Sequence, residues 1–365
     1  MTDYTKRQAR VRALPGIDTV ILVPGANLRY FTGLDLHLSE RPILALIGPD
    51  GLALVLPELE LPQLTAHPAL SPRVFPWSDE TGYAGAFRAA INELGLREQE
   101  LGIDALTMRA GELLSLLAEA PELQVRRAEG GLAAIRAVKE PAELAAIREA
   151  VALSERALDR LLPEVRAGQS ELEIASRLTD LLAAEGSDAH AFAPLVQSGP
   201  NSALPHGGPT ERTLGSGEPL LIDYGGRKGG YPADITRTMF CGEPSAELRR
   251  VFGVVSAANR AATAAVRPGA AMQEVDRAAR RVVAEAGYGE RFIHRTGHGL
   301  GLEVHESLPQ LAEGVETPLE PGMVMTVEPG VYLPGVGGVR LEDVVVVTEG
   351  GSEVLTRLPH TLRLG

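Results

Sequence analysis

Residues 296–307 read TGHGLGLEVHES, two histidines seven positions apart with three glycines crowded around the first. On an α-helix that spacing would put His298 and His305 on one face, two turns apart. Gly297, Gly299 and Gly301 would each weaken such a helix by roughly 1 kcal/mol relative to alanine. In a flat strand an odd spacing sends the two imidazoles to opposite faces. Neither regular element brings the pair together, so a bent loop or a kinked strand is expected. What the pair is for depends on the groups around it in the fold.

Working outward, four carboxylates fall within or at the ends of apolar, strand-like runs. In PLLID (219–223) Leu221 and Asp223 share a face; in ADITRT (233–238) Asp234 shares one with Thr236 and Thr238. In MVMTVE (323–328) Glu328 aligns with Val324 and Thr326, and in VRLEDVV (339–345) Glu342 aligns with Arg340. An unpaired charge in such surroundings is costly, so something must compensate all four. A dinuclear metal site does so. Two divalent ions need several hard oxygen ligands, with bridging carboxylates holding the ions about 3.5–4 Å apart, and imidazole is an acceptable further ligand. One histidine suffices for that; the second is free to act on a substrate.

The chain has 365 residues, long for one domain and comfortable for two. With 44% hydrophobic and 23% charged residues it has an ordinary soluble, globular composition. No apolar run approaches the ~18–20 residues of a membrane span, and the N-terminal MTDYTKRQARVRALPG lacks the apolar core of a secretory signal. Cys241 is the single cysteine, which excludes an internal disulfide and a thiolate-rich metal site. These features favour the cytoplasm. A formal net charge of −13 argues against a nucleic-acid partner. Six of the eight histidines lie after residue 189, which places the chemistry in the C-terminal part.

Runs at 18–24, 42–47 and 51–56 are bounded by Gly, Pro and Asp and read as buried strands. Helical patterns follow at 84–96 and 110–119, giving a small α/β domain over residues 1–132. Pro141 suits the first turn of a helix running to about 161. Ser170 with Glu173 resembles a capping box for a second helix to about 185. Beyond residue 190 strands and loops surround a helical pair at about 245–287, so residues 133–365 read as an α+β domain.

The ordered set LIDYGG (221–226), ADITRT (233–238), TGHGLGLEVHE (296–306), TVEPGVY (326–332) and GVRLED (338–343) resembles the M24-type "pita-bread" metallopeptidases. That family includes methionine aminopeptidase, aminopeptidase P and prolidase, and the match runs in family order over about 135–365. The resemblance implies a pita-bread (creatinase/aminopeptidase) catalytic domain preceded by a smaller creatinase-like α/β domain. It implies five metal ligands, Asp223, Asp234, His298, Glu328 and Glu342, with Asp234 and Glu342 bridging two ions. SGPNSALPHG (198–207) resembles the Xaa-Pro-cleaving branch, in which the histidine at the place of His206 contacts the substrate. Arg340, two residues before the ligand Glu342, is also as in that branch. Creatinases share both domains but not the ligands, all five of which stand here.

On the same resemblance, a metal-bridging hydroxide attacks the carbonyl before proline, and Glu328 shuttles the proton as well as binding metal. His305 stabilises the carbonyl oxygen, His206 positions the substrate, and Arg340 orients the carboxylates. The activity implied is that of an Xaa-Pro dipeptidase (prolidase), with an aminopeptidase P acting on longer Xaa-Pro peptides as the alternative. An inactive binding module of the same fold is disfavoured by the intact ligand set. In this family the N-terminal domain of one subunit can overhang its partner's site, so a homodimer is expected. Arg41, in NLRYFTGLDLHLSERP (27–42), is then a candidate to cap the dipeptide carboxylate. The donor set suits Mn, Co or Zn. His294 reads as a structural hydrogen-bonding residue, and His190 as either structural or near the substrate pocket.

Overall fold

The computed structural model describes residues 3–360 and 363–364; the extreme ends of the two expected domain ranges, residues 1–2, 361–362 and 365, lie outside them. The chain divides into two compact units, Met1–Arg136 and Ala137–Gly365.

In the first unit six strands form one mixed sheet: β1 (Thr19–Leu22), β2 (Leu44–Gly48), β3 (Gly51–Pro57), β4 (Arg73–Trp77), β5 (Glu100–Ile103) and β6 (Gln124–Arg127), in the order β4-β3-β2-β1-β5-β6. The three apolar runs of the sequence are the interior strands β1, β2 and β3. The two edge strands are the ones with weak patterns. β4 carries Pro76, which an edge strand tolerates, and β6 reads QVRR, whose charges protect an open edge. Helices Ala84–Glu93 and Ala110–Glu119 bury Phe87, Ile91 and Leu116 in a core shared with Val55, Trp77 and Leu101.

The second unit opens with helices Pro141–Leu161 and Glu171–Ala184. Ser170 caps the latter: its Oγ accepts from Glu173 N at 3.1 Å, and Glu173 Oε2 accepts from Ser170 N at 2.7 Å. Then come β7 (Leu195–Ser198), β8 (Pro219–Tyr224), the short β9 (Arg227–Lys228) and β10 (Tyr231–Pro232), and β11 (Ile235–Phe240). β11, β8 and β7 form an antiparallel three-stranded sheet. Helices Ala246–Ala265 and Met272–Glu285 precede β12 (Gly297–Gly299), β13 (Glu306–Leu311), β14 (Val324–Val327), β15 (Gly330–Leu333), β16 (Gly337–Arg340), β17 (Asp343–Thr348) and β18 (Gly351–Val354). A five-stranded antiparallel sheet runs β13-β12-β14-β17-β18, and β15 pairs with β16 as a hairpin.

The unbroken apolar run of β17 has a simple cause. Val344 and Val346 enter one core with Val324 and the helix pair Pro141–Leu161 and Glu171–Ala184. Val345 and Val347 enter another with Met325 and the pair Ala246–Ala265 and Met272–Glu285. Alternate side chains thus bury on opposite faces of a sheet held between two helical layers, the pita-bread arrangement. Among the described residues no helix is long and apolar enough to cross a membrane.

Candidate metal centre

The carboxylates gather where strand ends from the two sheets of the second unit meet. β8 and β11 pair with Asp223 opposite Thr236, and Asp234 stands one residue before β11. β14 and β17 pair through Val327 and Asp343, so Glu328, just after one strand, lies beside Glu342, just before the other. The Glu342 N–H donates to Thr236 O at 3.0 Å and ties the two sheets together at this point. β12 brings in His298, whose N–H donates to Thr326 Oγ1 at 3.1 Å. A Cβ on Gly297 would stand 2.0 Å from Thr326 O, so only glycine lets β12 lie this close.

His305 arrives by the expected irregularity. In the β12–β13 ladder His298 faces Gln310, but the next residue, Gly299, faces Glu306. The strand is bulged there, and a turn over 300–305 swings His305 back until its ring centroid is 4.1 Å from that of His298.

A cavity of about 370 Å3 collects eight of the expected site residues: His206, Asp223, Asp234, His298, His305, Glu328, Arg340 and Glu342. Phe192, Leu195, Pro205, His294, Arg295 and Tyr332 complete its wall. Arg41 belongs to the first unit and has acidic partners there. Its Nε and Nη2 fork onto Asp79 at 2.9 and 2.7 Å, and its Nη1 reaches Glu40 at 2.6 Å. His190 is exposed and bridges Gly226 through its backbone, while Phe192 and Leu195 supply the apolar wall.

The electrostatics of the cluster call for a cation. Burial, then the charges of Glu342 and Asp223, push the Asp234 carboxyl well above its ordinary range. Burial, then Glu328 and Asp223, do the same to Glu342. Burial raises Asp223 as well, against the pull of Arg340. Burial also pushes Glu328 upward, but the hydrogen bond and charge of His298 bring it down to about 2. His298 Nδ1 lies 3.1 Å from Gly299 O, an acceptor, so Nδ1 carries a proton. Its Nε2 then faces Glu328 Oε1 at 3.2 Å and Asp234 Oδ2 at 3.5 Å. Those two carboxylate oxygens require positive charge at Nε2, either a ring proton, as in the hydrogen bond to Glu328, or a metal ion in its place. Among the described residues the buried Asp223 Oδ1 has no hydrogen-bond partner. Three sets of side chains have ligand atoms within 4.8 Å of one another: Asp223, Asp234 and Glu342; His298, Glu328 and Glu342; and Asp234, His298 and His305. The donor set, four carboxylates with one or two imidazoles, fits divalent ions.

A second layer of side chains fixes the first. Arg340 donates from Nη2 to Asp223 Oδ2 at 2.6 Å, from Nε to Thr236 Oγ1 at 3.1 Å and from Nη1 to Tyr332 OH at 3.0 Å. The Thr236 hydroxyl in turn donates to Glu342 Oε2 at 2.6 Å. His294 lies between Tyr332 OH, 2.8 Å from its Nε2, and Arg295 O, 2.7 Å from its Nδ1. The carbonyl accepts from Nδ1–H, so the tyrosine hydroxyl donates to Nε2 and His294 is neutral; burial lowers its pKa in the same sense. Sequence reasoning found Arg340 and gave His294 a structural role, but it missed Tyr332, Thr236 as a link, and Arg295. The signal for Thr236 was its shared face with Asp234; Tyr332 lies in the quoted TVEPGVY without any pattern to single it out. Among the described residues Arg295 has no acidic partner.

Comparison with known proteins agrees with the geometry. Residues 145–349 match the model of metallopeptidase family M24, and residues 7–138 match that of the creatinase/prolidase N-terminal domain. The probable dipeptidase PepE of Mycobacterium tuberculosis is 37% identical over 98% of this chain and 96% of its own length. The crystal structure of a prolidase from Thermococcus sibiricus superposes with a TM-score of 0.93 at 34% identity, covering 99% of this chain and 100% of that one. That of an X-Pro aminopeptidase from Thermotoga maritima does so at 0.86 and 30%, covering 100% and 99%. Sheet, helical layers, strand-end carboxylates and likeness along nearly the whole length agree, and the chain belongs to metallopeptidase family M24.

Proposed function

We propose that this chain is a dinuclear-metal Xaa-Pro dipeptidase. Asp223, Asp234 and Glu342 would hold one ion, and His298, Glu328 and Glu342 the other, with Asp234 also reaching the second. Two of the three ligand-spaced groups share Glu342, which supports its bridging role. Bound there, divalent ions such as Mn, Co or Zn would supply Lewis acidity at the scissile carbonyl and lower the pKa of a water towards ~7.

The side chains have separate tasks. The Glu328 carboxylate, steadied by the Thr326 hydroxyl at 3.1 Å, accepts the proton of the attacking water and returns it to the proline nitrogen. Partial desolvation at the cavity wall, where the turn still leaves the ring open to solvent, lowers the His305 pKa to about 4, so the ring is neutral and its N–H donates to the carbonyl oxygen as negative charge develops. Arg340 keeps Asp223 and Thr236 in place, and through its Nη1 contact to Pro205 O at 3.3 Å it also holds the loop that presents His206. Phe192, Leu195 and Pro205 give the substrate an apolar wall.

The observation that carries the dipeptidase reading is Arg295, a half-buried residue lining the cavity whose guanidinium has no acidic partner among the described residues. A free carboxylate on the proline of a dipeptide would complete it; a longer peptide presents an amide instead. Arg41, already forked onto Asp79, is a poorer candidate. Arg295→Leu is expected to raise KM for an Xaa-Pro dipeptide roughly 10–100-fold, the worth of one charged hydrogen bond, with kcat little changed. Hydrolysis of the corresponding Xaa-Pro amide should be unaffected, and equal losses on both substrates would remove Arg295 from this role. Likeness to the Thermotoga maritima enzyme favours a second reading, an aminopeptidase acting on longer chains. Rates on Xaa-Pro and Xaa-Pro-Yaa measured side by side decide between them. Substantial cleavage of the tripeptide defeats the dipeptidase assignment.

A further inference from the structure

Glu306 is a buried carboxylate, 6% exposed, that the proposed chemistry does not use. It directly follows His305. Its Oε1 accepts from the Leu302 N–H at 3.0 Å and its Oε2 from Lys139 Nζ at 2.8 Å. The two side chains of this ion pair are 5% and 0% exposed. Lys139 is anchored in turn: its Nζ donates to Ala137 O at 3.2 Å and its N–H to Gly322 O at 2.9 Å. Stability alone does not explain such a pair, because well-packed apolar residues of similar volume often serve as well. What the pair provides is placement. The Gly299–Glu306 pairing closes the turn that carries His305. Inside that turn Gly301 N–H donates to Glu303 O at 3.1 Å, and Leu302 O accepts from Arg227 Nη1 at 3.0 Å. A Cβ on Gly301 would stand 2.1 Å from Glu306 Oε1, so the carboxylate occupies room that this glycine leaves.

We propose that Lys139 is a positioning residue for His305, holding the Glu306 carboxylate that closes the 299–306 turn. The proposal rests on the reading of His305 as the donor to the substrate carbonyl. It also gives the KEP stretch at 139–141 a task in the active site, beyond starting the helix that follows.

The test uses the full chain and three variants: Lys139→Met, Lys139→Arg and the double change Lys139→Met/Glu306→Leu. In metal-free protein, amide hydrogen exchange over residues 300–306 should quicken roughly tenfold or more in Lys139→Met and stay near wild type in Lys139→Arg. With metal restored, kcat on an Xaa-Pro dipeptide should fall roughly 10–100-fold in Lys139→Met, with KM and bound metal unchanged, and recover in Lys139→Arg. If Lys139→Met does not fold, because it strands the Glu306 charge, the double variant replaces it with the same expectations. Unchanged exchange, or faster exchange with unchanged kcat, overturns the proposal. A wild-type chain inactive on Xaa-Pro peptides would defeat the dipeptidase reading instead, and the exchange measurement would still decide whether Lys139 holds the turn.

Discussion

Asp234→Asn is expected to lower peptide hydrolysis by ~10^3-fold or more and, in the same protein freed of metal, to raise the melting temperature. The first effect follows from losing a carboxylate at the centre of the proposed ligand set, since metal assistance is worth several kcal/mol of transition-state stabilisation. The second follows from the metal-free electrostatics. Asp234 and Glu342 are both buried, each raised well above its ordinary range by burial and by neighbouring acids. For an acid raised on folding, the folded state keeps a proton that the unfolded chain has lost, so stability falls as pH rises above the unfolded value near ~4. At neutral pH the metal-free fold therefore carries an electrostatic penalty, and neutral asparagine removes part of it. Relief of about 1–2 kcal/mol would correspond to a rise of roughly 2–8 °C for a unit of this size. Metal should reverse the order, because ions at about 100 times their Kd stabilise the wild-type protein by ~2.7 kcal/mol and the variant by less. Calorimetry with and without chelator reads both effects. A metal-free variant that melts below metal-free wild type would show that Asp234 is held by hydrogen bonds, and the frustrated-cluster account would be wrong.

That penalty also explains how much of the site was legible in the sequence. Carboxylates on otherwise apolar strands violate local patterning, and residues that violate it without a nearby countercharge are visible by inspection. Asp223, Asp234, Glu328 and Glu342 were readable for this reason, and His298 and His305 because glycines broke every regular alternative around them. The interior strands β1, β2 and β3 were readable as apolar runs, and Ser170 with Glu173 as a cap. Tyr332 was not, because its role depends on a hydrogen bond to a residue 38 positions away. Nor was the Lys139–Glu306 pair, whose partners lie 167 residues apart and look in sequence like two ordinary charges. The edge strands β4 and β6 were hidden by the proline and the arginines that protect them. Arg41 was singled out as a cation near other charges, but pairing with Asp79 depends on residues 38 apart, which spacing along the chain does not reveal.

His305→Ala is expected to cut kcat by ~10^2–10^3-fold, the usual loss on removing one preorganised donor to a developing oxyanion, with KM changed little. The structure makes a competing role concrete, because Asp234, His298 and His305 have ligand atoms within 4.8 Å of one another. Metal content separates the two roles. As a donor to substrate, His305 can be lost without loss of metal, and both ions should remain after dialysis of the variant. As a ligand, its removal should cost one equivalent together with the activity. The position of the ring favours the donor. His298 is buried with Nδ1 committed to a backbone carbonyl and Nε2 facing the acids, whereas His305 is exposed on the bulged turn, facing the cavity. His305→Gln, which keeps an N–H of similar reach, should recover part of kcat while leaving metal content at the wild-type level. Loss of a metal equivalent in either variant would move His305 into the ligand set, and the carbonyl donor would then have to be sought at His206 or Arg295.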